Sequence, residues 1–533
     1  MNIGRSATNG LLAILILLGN GLLAQVTFQR TLGGVDQDRG SSMVKTFDSC
    51  FVFTGSTKSN GAGDHDLLLV KVNGYGDTLW TRYWGGTEYD TGTAIVQTTD
   101  GGFAICGSTR SYGQGDFDVF ILRTDGEGNL LTTTVVGGTG PDSGESIIQT
   151  SDGGLLVGGS TAVLGAGEFD MYLIKLDVNG AVQWSRTYGT VDREYGYSVV
   201  ENNDNTYLFT GNIERNPPAW DEFDILIIKI DLTGAPIWER VYSTPSQINS
   251  TIDRAFTSVS TPDGGVMICG GSNIIGGVHA DVYLIKLDAS GVMEWSMAYG
   301  TADDEFGSDI ELTADGGCVI VGKKFSSTKG VLILKVDALG TLIWRKAYGG
   351  PFDSGYAVVQ AWDGGFAILG ATYNFGNDVP FGDIYLIRTD DQGGSGCFEG
   401  NLAMTSVDAN TQLLSSPSIL SSQAGVVTLP TMPIGQGIGF TALCSAISIP
   451  EIATTGAFEV FPNPTTSGAT IELPSQRESG TLVILDPMGK MVYEKQMIAF
   501  RGTQIRIDGL SPNMNIVRLY SKNKVFSKKL IVL

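Results

Sequence analysis

Apolar residues in this chain fall in runs of three to five, bounded by Gly, Asp and Asn, with no sustained helical period. Runs such as Tyr172-Leu173-Ile174 are apolar on both faces, as expected of strands covered on both sides. The runs sit in a repeating frame. An acidic residue, four mostly apolar residues and a base recur as Asp66 to Lys71, Asp118 to Arg123, Asp170 to Lys175, Asp224 to Lys229, Asp281 to Lys286 and Asp383 to Arg388, with a degenerate copy ending at Lys335. Asp-Gly-Gly precedes an apolar strand at Asp100, Asp152, Asp263, Asp315 and Asp363, with degenerate copies at Asp48 and Asp204. A mostly aromatic position recurs at Phe28, Trp80, Thr132, Trp184, Trp238, Trp295 and Trp344, a period of about 52 residues.

Each landmark occurs seven times. The third repeat divides into strands at 145–149, 155–158, 170–176 and 181–188, and four strands at this period predict a propeller blade. The expected fold is therefore all-β: a seven-bladed β-propeller of four-stranded blades over residues 26–396. The chain enters on a fourth-strand motif around Phe28, while the seventh repeat lacks a good copy. The N-terminal strand is thus expected to complete the last blade, with closure by residues 397–403 as the alternative.

Composition agrees: 73 glycines are roughly twice the usual share. The formal net charge is −22, which disfavours nucleic acid as a partner, because such affinity rests on Lys and Arg neutralising phosphates. Residues 1–24, with Arg5 and an apolar run at 11–18, read as a secretory signal peptide, and that run is too short to span a bilayer. No later segment is long enough for a transmembrane span. The six cysteines include no Cys-x-x-Cys pair and there are two histidines, His65 and His279, so no zinc-type metal site is expected. Cys397 and Cys444 bracket a Ser/Thr-rich connector, 397–456, and form a candidate disulfide in an oxidising compartment. The other four cysteines read as small core residues.

The motif Asp-x-x-Gly-x-x-x-Trp, as in Asp231-Gly234-Trp238, reads as scaffold: Asp caps a turn, Gly supplies positive φ, and Trp fills the gap between blades. A ring of acids at Asp38, Asp90, Asp142, Glu194, Asp253, Glu305 and Asp353 is expected to make one face negative, with turn capping preferred over calcium. No cofactor is expected, calcium being the weak exception. Loops that break the repeat carry Trp220, Tyr373 and Phe375 on that face, and these are the candidate ligand-binding residues for a glycan or protein. No Ser/His or Cys/His catalytic constellation is recognisable. The expected function is a binding or adhesion platform and not an enzyme, with a carbohydrate-active hydrolase or lyase as the alternative.

Residues 457–533 differ in charge, with 10 Lys and Arg against 6 Asp and Glu. Here Phe458-Glu459-Val460-Phe461-Pro462-Asn463-Pro464, Ile484-Leu485-Asp486-Pro487-Met488-Gly489-Lys490 and Lys528-Lys529-Leu530-Ile531-Val532-Leu533 resemble, in order and spacing, the C-terminal sorting domain of the type IX secretion system. Ser511-Pro512-Asn513-Met514-Asn515 departs from the Gly and Tyr usual in that family. The resemblance implies a small Ig-like β-sandwich, contact with the secretion machinery through residues 457–533, and release or attachment at the cell surface. Alternation at Ile505-Arg506-Ile507 and Val517-Arg518-Leu519 independently supports a small sandwich.

Overall fold

A computed structural model describes residues 25–214, 222–244, 253–275, 279–376 and 382–414, and from 420 onward the strands given below. The signal-peptide segment 1–24 and Trp220 lie outside the described residues. Among the described residues there is no helix, so none is long and apolar enough to cross a membrane.

Strand pairing groups the chain into four-stranded antiparallel units spanning residues 38–84, 90–137, 142–189, 194–243, 254–300, 304–348 and 354–388, the last two joined to each other by the Lys323–Ser354 pair. The last contributes three strands, and Val26–Gly33 supplies its fourth by pairing with Asp383–Arg388. The sheets are the blades of a β-propeller, numbered 1 to 7 in that order. Each joins the next through its inner strand: Asp90 N–H donates to the His65 carbonyl at 2.8 Å, Asp142 to Phe117 at 2.7 Å and Glu194 to Phe169 at 2.9 Å. Asp38 N–H donates to Gly382 at 3.1 Å, which closes blade 7 onto blade 1. A closed ring leaves no unpaired inner edge.

The repeated motif docks neighbouring blades. Trp80, Trp184, Trp238, Trp295 and Trp344 lie over Gly128, Gly234, Gly291, Gly340 and Gly393, the glycines of the next blade's Asp-x-x-Gly turns, and Phe28 lies over Gly76 in the same way. A tyrosine four residues after Trp donates to the carbonyl of the same glycine, as Tyr188 does to Gly234 at 2.7 Å and Tyr348 to Gly393 at 2.5 Å. The indoles are half-buried and not enclosed, because they cover the outer rim of the joint while the tyrosines fill its interior. Two other landmarks prove to be halves of one ion pair per blade: Lys71–Asp48, Arg123–Asp100, Lys175–Asp152, Lys229–Asp204, Lys286–Asp263, Lys335–Asp315 and Arg388–Asp363.

The segment expected as a connector becomes a belt. Glu399–Asn401, Thr405–Asp408, Gln412–Leu414, Leu420–Gln423 and Val426–Thr428 each add a fifth, outermost strand, to blades 6, 5, 4, 3 and 2 in that order. Gly439–Ile447 then pairs with Val26–Gly33 on blade 7. The chain therefore circles the ring backwards, covering outer edges that would otherwise present unpaired backbone groups. Residues 397–403 do not close the ring but lead this belt onto blade 6. Cys397 is disulfide-bonded, Cys50, Cys106, Cys269 and Cys318 are free and buried, and Cys444 lies on the belt opposite Gln29, whose side-chain amide donates to the Cys397 carbonyl. Further on, Glu459–Phe461, Gly468–Glu472 and Gln504–Asp508 form one antiparallel sheet. Glu478–Leu485, Met491–Phe500, Asn513–Ser521 and Lys524–Val532 form a second, the two-sheet arrangement of a small sandwich.

Candidate functional site at the channel mouth

All seven inner strands carry a β-bulge at one equivalent position, where one extra residue interrupts the register with the second strand: Ser41, Thr93, Glu145, Tyr197, Phe256, Ser308 and Tyr356. A bulge re-aims the side chain it carries. Here all seven bulged residues line one cavity of about 590 Å³. A space touched by the inner strand of every blade lies on the propeller axis. Two residues before each bulge a further ring includes Arg39, Thr91, Ser143, Tyr195, Arg254 and Phe306. Their register partners on the second strands include Ser56, Ser108, Ser160, Asn212 and Lys323.

The scaffold is uniform but its lining is not. Blades 1 to 3 and the loop between the first two present hydroxyls with Arg39, Tyr89 and Glu145, whereas blades 4 to 7 present Tyr197, Phe256, Phe306 and Tyr356. Rings of adjacent blades meet edge to face, Tyr197 with Phe256 at 5.7 Å and Phe256 with Phe306 at 6.4 Å between centroids. Burial raises the Glu145 carboxyl above its ordinary value, opposed by the Ser143 hydroxyl. Burial, with Glu145 nearby, pushes the Tyr197 phenol up to about 12. Asp309 also lines the cavity, and burial pushes it up to about 7. Its carboxylate accepts the Val358 N–H at 2.8 Å and the Ile310 N–H at 2.9 Å, so it fastens blade 6 to blade 7.

The residues singled out from the sequence fall elsewhere. The ring of acids does not make a charged surface: all seven are buried, and each accepts a backbone N–H from the preceding inter-blade loop at 2.5–3.0 Å. Turn capping accounts for them. Three exposed acids of the same face are paired, Asp64 with Lys58 at 3.1 Å, Asp116 with Arg110 at 2.5 Å and Glu168 with Arg193. Among the described residues no group of three or more His, Cys, Asp or Glu is placed to hold a metal ion. Phe375 packs on Phe398 at 5.0 Å and on Tyr385 at 6.2 Å, between its own blade and the start of the belt. Tyr373 lies against Gly382, and its N–H is bound by Asp353 at 2.8 Å. The bulged residues went unremarked because a bulge has no signature in one repeat. The variation of the residue after a near-constant glycine, from Ser41 to Tyr356, was the available signal.

Comparison with known proteins bears on both parts of the chain. A curated relative, the regulatory protein FlaEY of Caulobacter vibrioides, is 24% identical over 297 residues, 48% of this chain, which spans 31% of that protein's length. Solved structures similar to the chain include a Dyadobacter fermentans protein of unknown function, 11% identical with a TM-score of 0.39 over 68% of this chain and 98% of that one. A Penicillium chrysogenum alpha-L-arabinanase complexed with arabinobiose is 12% identical with a TM-score of 0.38 over 69% and 98%. At the other end, residues 459–533 match the secretion system C-terminal sorting domain. That domain marks the chain, a β-propeller followed by its sorting signal, as a cargo of the type IX secretion system exported to the cell surface or the extracellular space.

Proposed function

We propose that the exported propeller is a glycan-binding platform of the adhesive kind, non-catalytic, with the channel mouth as its site. The observation that carries this reading is the convergence of seven bulged residues on one cavity, aromatic on one half and hydroxyl-bearing on the other. Aromatic faces stack on the apolar faces of sugar rings, while Ser, Thr and a carboxylate serve the ring hydroxyls. A second reading, a glycoside hydrolase or lyase, rests on Glu145 and Asp309 lining the same cavity. Hydrolysis needs an acid and a second free carboxylate within about 5–10 Å, and Asp309 is already committed to two backbone amides. Glu145 alone favours binding.

The test is a glycan array probed with the purified secreted protein, followed by Tyr197→Ala, Phe256→Ala and Glu145→Gln. Binding lost in the aromatic variants, with intact oligosaccharide recovered after long incubation, supports the platform. Reducing ends that accumulate with wild type and disappear with Glu145→Gln establish the enzyme instead.

A further inference from the structure

The residue before the third-strand acid is aromatic in blades 1 to 4, as His65, Phe117, Phe169 and Phe223, but is Ala280 in blade 5 and Gly382 in blade 7. Its carbonyl takes the N–H of the next inner strand whether it belongs to Phe117 at 2.7 Å, Ala280 at 2.7 Å or Gly382 at 3.1 Å, so closure of the propeller does not require an aromatic side chain here. Phe117 and Phe169 are half-buried and line a recess of about 260 Å³ at the joint of blades 2 and 3. The recess is continuous with the axial cavity, because Tyr89, Thr91, Thr93 and Glu145 line both. Its rings are braced from outside: the Arg110 guanidinium lies 4.9 Å from the Phe117 centroid, Tyr89 meets Phe117 edge to face at 6.0 Å, and Phe169 stands 5.1 Å from Tyr195. Rings held before a ligand arrives lose little freedom when it binds. No Lys or Arg among the described residues lines the recess. Of its two carboxylates, Asp142 is buried and accepts the Gly138 N–H at 2.7 Å, while Glu145 stands on the wall shared with the cavity. Phe117 and Phe169 belong to the recess alone, and Tyr197 and Phe256 to the cavity and not the recess, so one sugar ring cannot stack on both pairs.

We propose that the channel mouth binds a linear chain of neutral sugars through consecutive units, one part in the axial cavity on Tyr197 and Phe256 and the next in the recess on Phe117 and Phe169. Glu145, on the shared wall, accepts hydroxyls where the chain passes from one to the other. The recess sets the class: a unit lying in it finds aromatic rings for its apolar face and Ser and Thr for its hydroxyls, and no cation to hold an anionic substituent. The inference rests on the glycan-binding reading and names the class of glycan and the direction in which it extends. Phe223, the blade 4 equivalent of Phe117, lines a different recess with Arg193 and Glu214 and lies off this path.

The experiment is calorimetric titration of the whole secreted protein with cello-, xylo- and arabino-oligosaccharides, each series running from the monosaccharide to the hexasaccharide. In at least one series affinity should rise about tenfold or more between the monosaccharide and the tetrasaccharide and then level off. Phe117→Ala and Phe169→Ala should each cut that gain to about twofold, whereas Phe223→Ala should keep it. Thermal unfolding identifies any variant that fails to fold, and Phe117→Leu or Phe169→Leu, which keeps apolar bulk but not the flat ring, then takes its place. Equal affinity at every length, a gain that survives both variants, or a gain lost equally in Phe223→Ala overturns this inference and leaves the platform standing. So does a lack of affinity in all three series while the array shows a bound glycan. A lack of affinity in all three with the array silent as well overturns both.

Discussion

The joint between blades 4 and 5 offers a test of how the repeat holds together. Trp238 is half-buried, and Arg240 stands 5.0 Å from its ring centroid. Burying half of a tryptophan removes on the order of 100 Å² from water, or about 2.5 kcal/mol, to which the cation–π contact adds about 0.5 kcal/mol. Trp238→Ala should therefore cost about 3 kcal/mol. Gly291 has φ +78°, and a Cβ there would lie 2.7 and 2.8 Å from two Trp238 ring carbons. Gly291→Ala should cost about 1–2 kcal/mol from the left-handed backbone and about 1.5 kcal/mol more from the overlap. Removing the indole removes the overlap. The double variant should then cost about 1.5 kcal/mol less than the sum of the singles. Urea unfolding followed by far-ultraviolet circular dichroism closes this double-mutant cycle. Additivity within about 0.5 kcal/mol would mean that the two residues do not meet and would refute the docking role assigned to the motif.

Three further predictions follow from the joints, the belt and the tail. Burial pushes Asp66, Asp118 and Asp281 up to about 6 and Glu194 up to about 7. Stability from these groups is complete below the unfolded value of about 4 and fades as pH rises through 6–7. Asp315, held down to about 2 by Lys335 and then by the Thr313 hydroxyl, gives stability that is lost as pH falls through 2. The unfolding temperature should peak near pH 4–5, and Asp118→Asn should raise it at pH 8 but not at pH 4.5; an Asn variant equally stabilising at both would refute the buried-charge account. Cys397→Ser should loosen the belt, so that limited proteolysis under native conditions cuts first within 397–447 while the blades persist. Cleavage unchanged from wild type would show that strand pairing alone fastens it. Removing residues 457–533 should leave a folded propeller in the periplasm, and surface-protease accessibility of the truncated protein in a host with the system would contradict the sorting assignment.

The repeat was legible in the sequence because its landmarks are local: an Asp that caps its own turn, a Gly in that turn, a base four apolar residues after an acid. Such features recur wherever the blade recurs, so period, strand count and the fourth-strand motif at Phe28 could be read without coordinates. The sorting domain was legible for a similar reason, through motifs held in order within 75 residues. Three things needed the tertiary structure. The Asp-Gly-Gly acids and third-strand bases could not be recognised as ion pairs, such as Lys229 with Asp204 at 2.7 Å, because the antiparallel turn that joins them lies between. The Ser/Thr-rich stretch after Cys397 read as a linker because an added edge strand draws its hydrogen bonds from a partner about 50 to 400 residues away and needs no hydrophobic pattern of its own. The cavity-lining residues are not legible in the sequence because Glu145, Tyr197, Phe256 and Lys323 each lie on a different strand and carry no common motif. A seven-fold closure brings them to one axis, and proximity created by closure is a property of the ring that no single repeat contains.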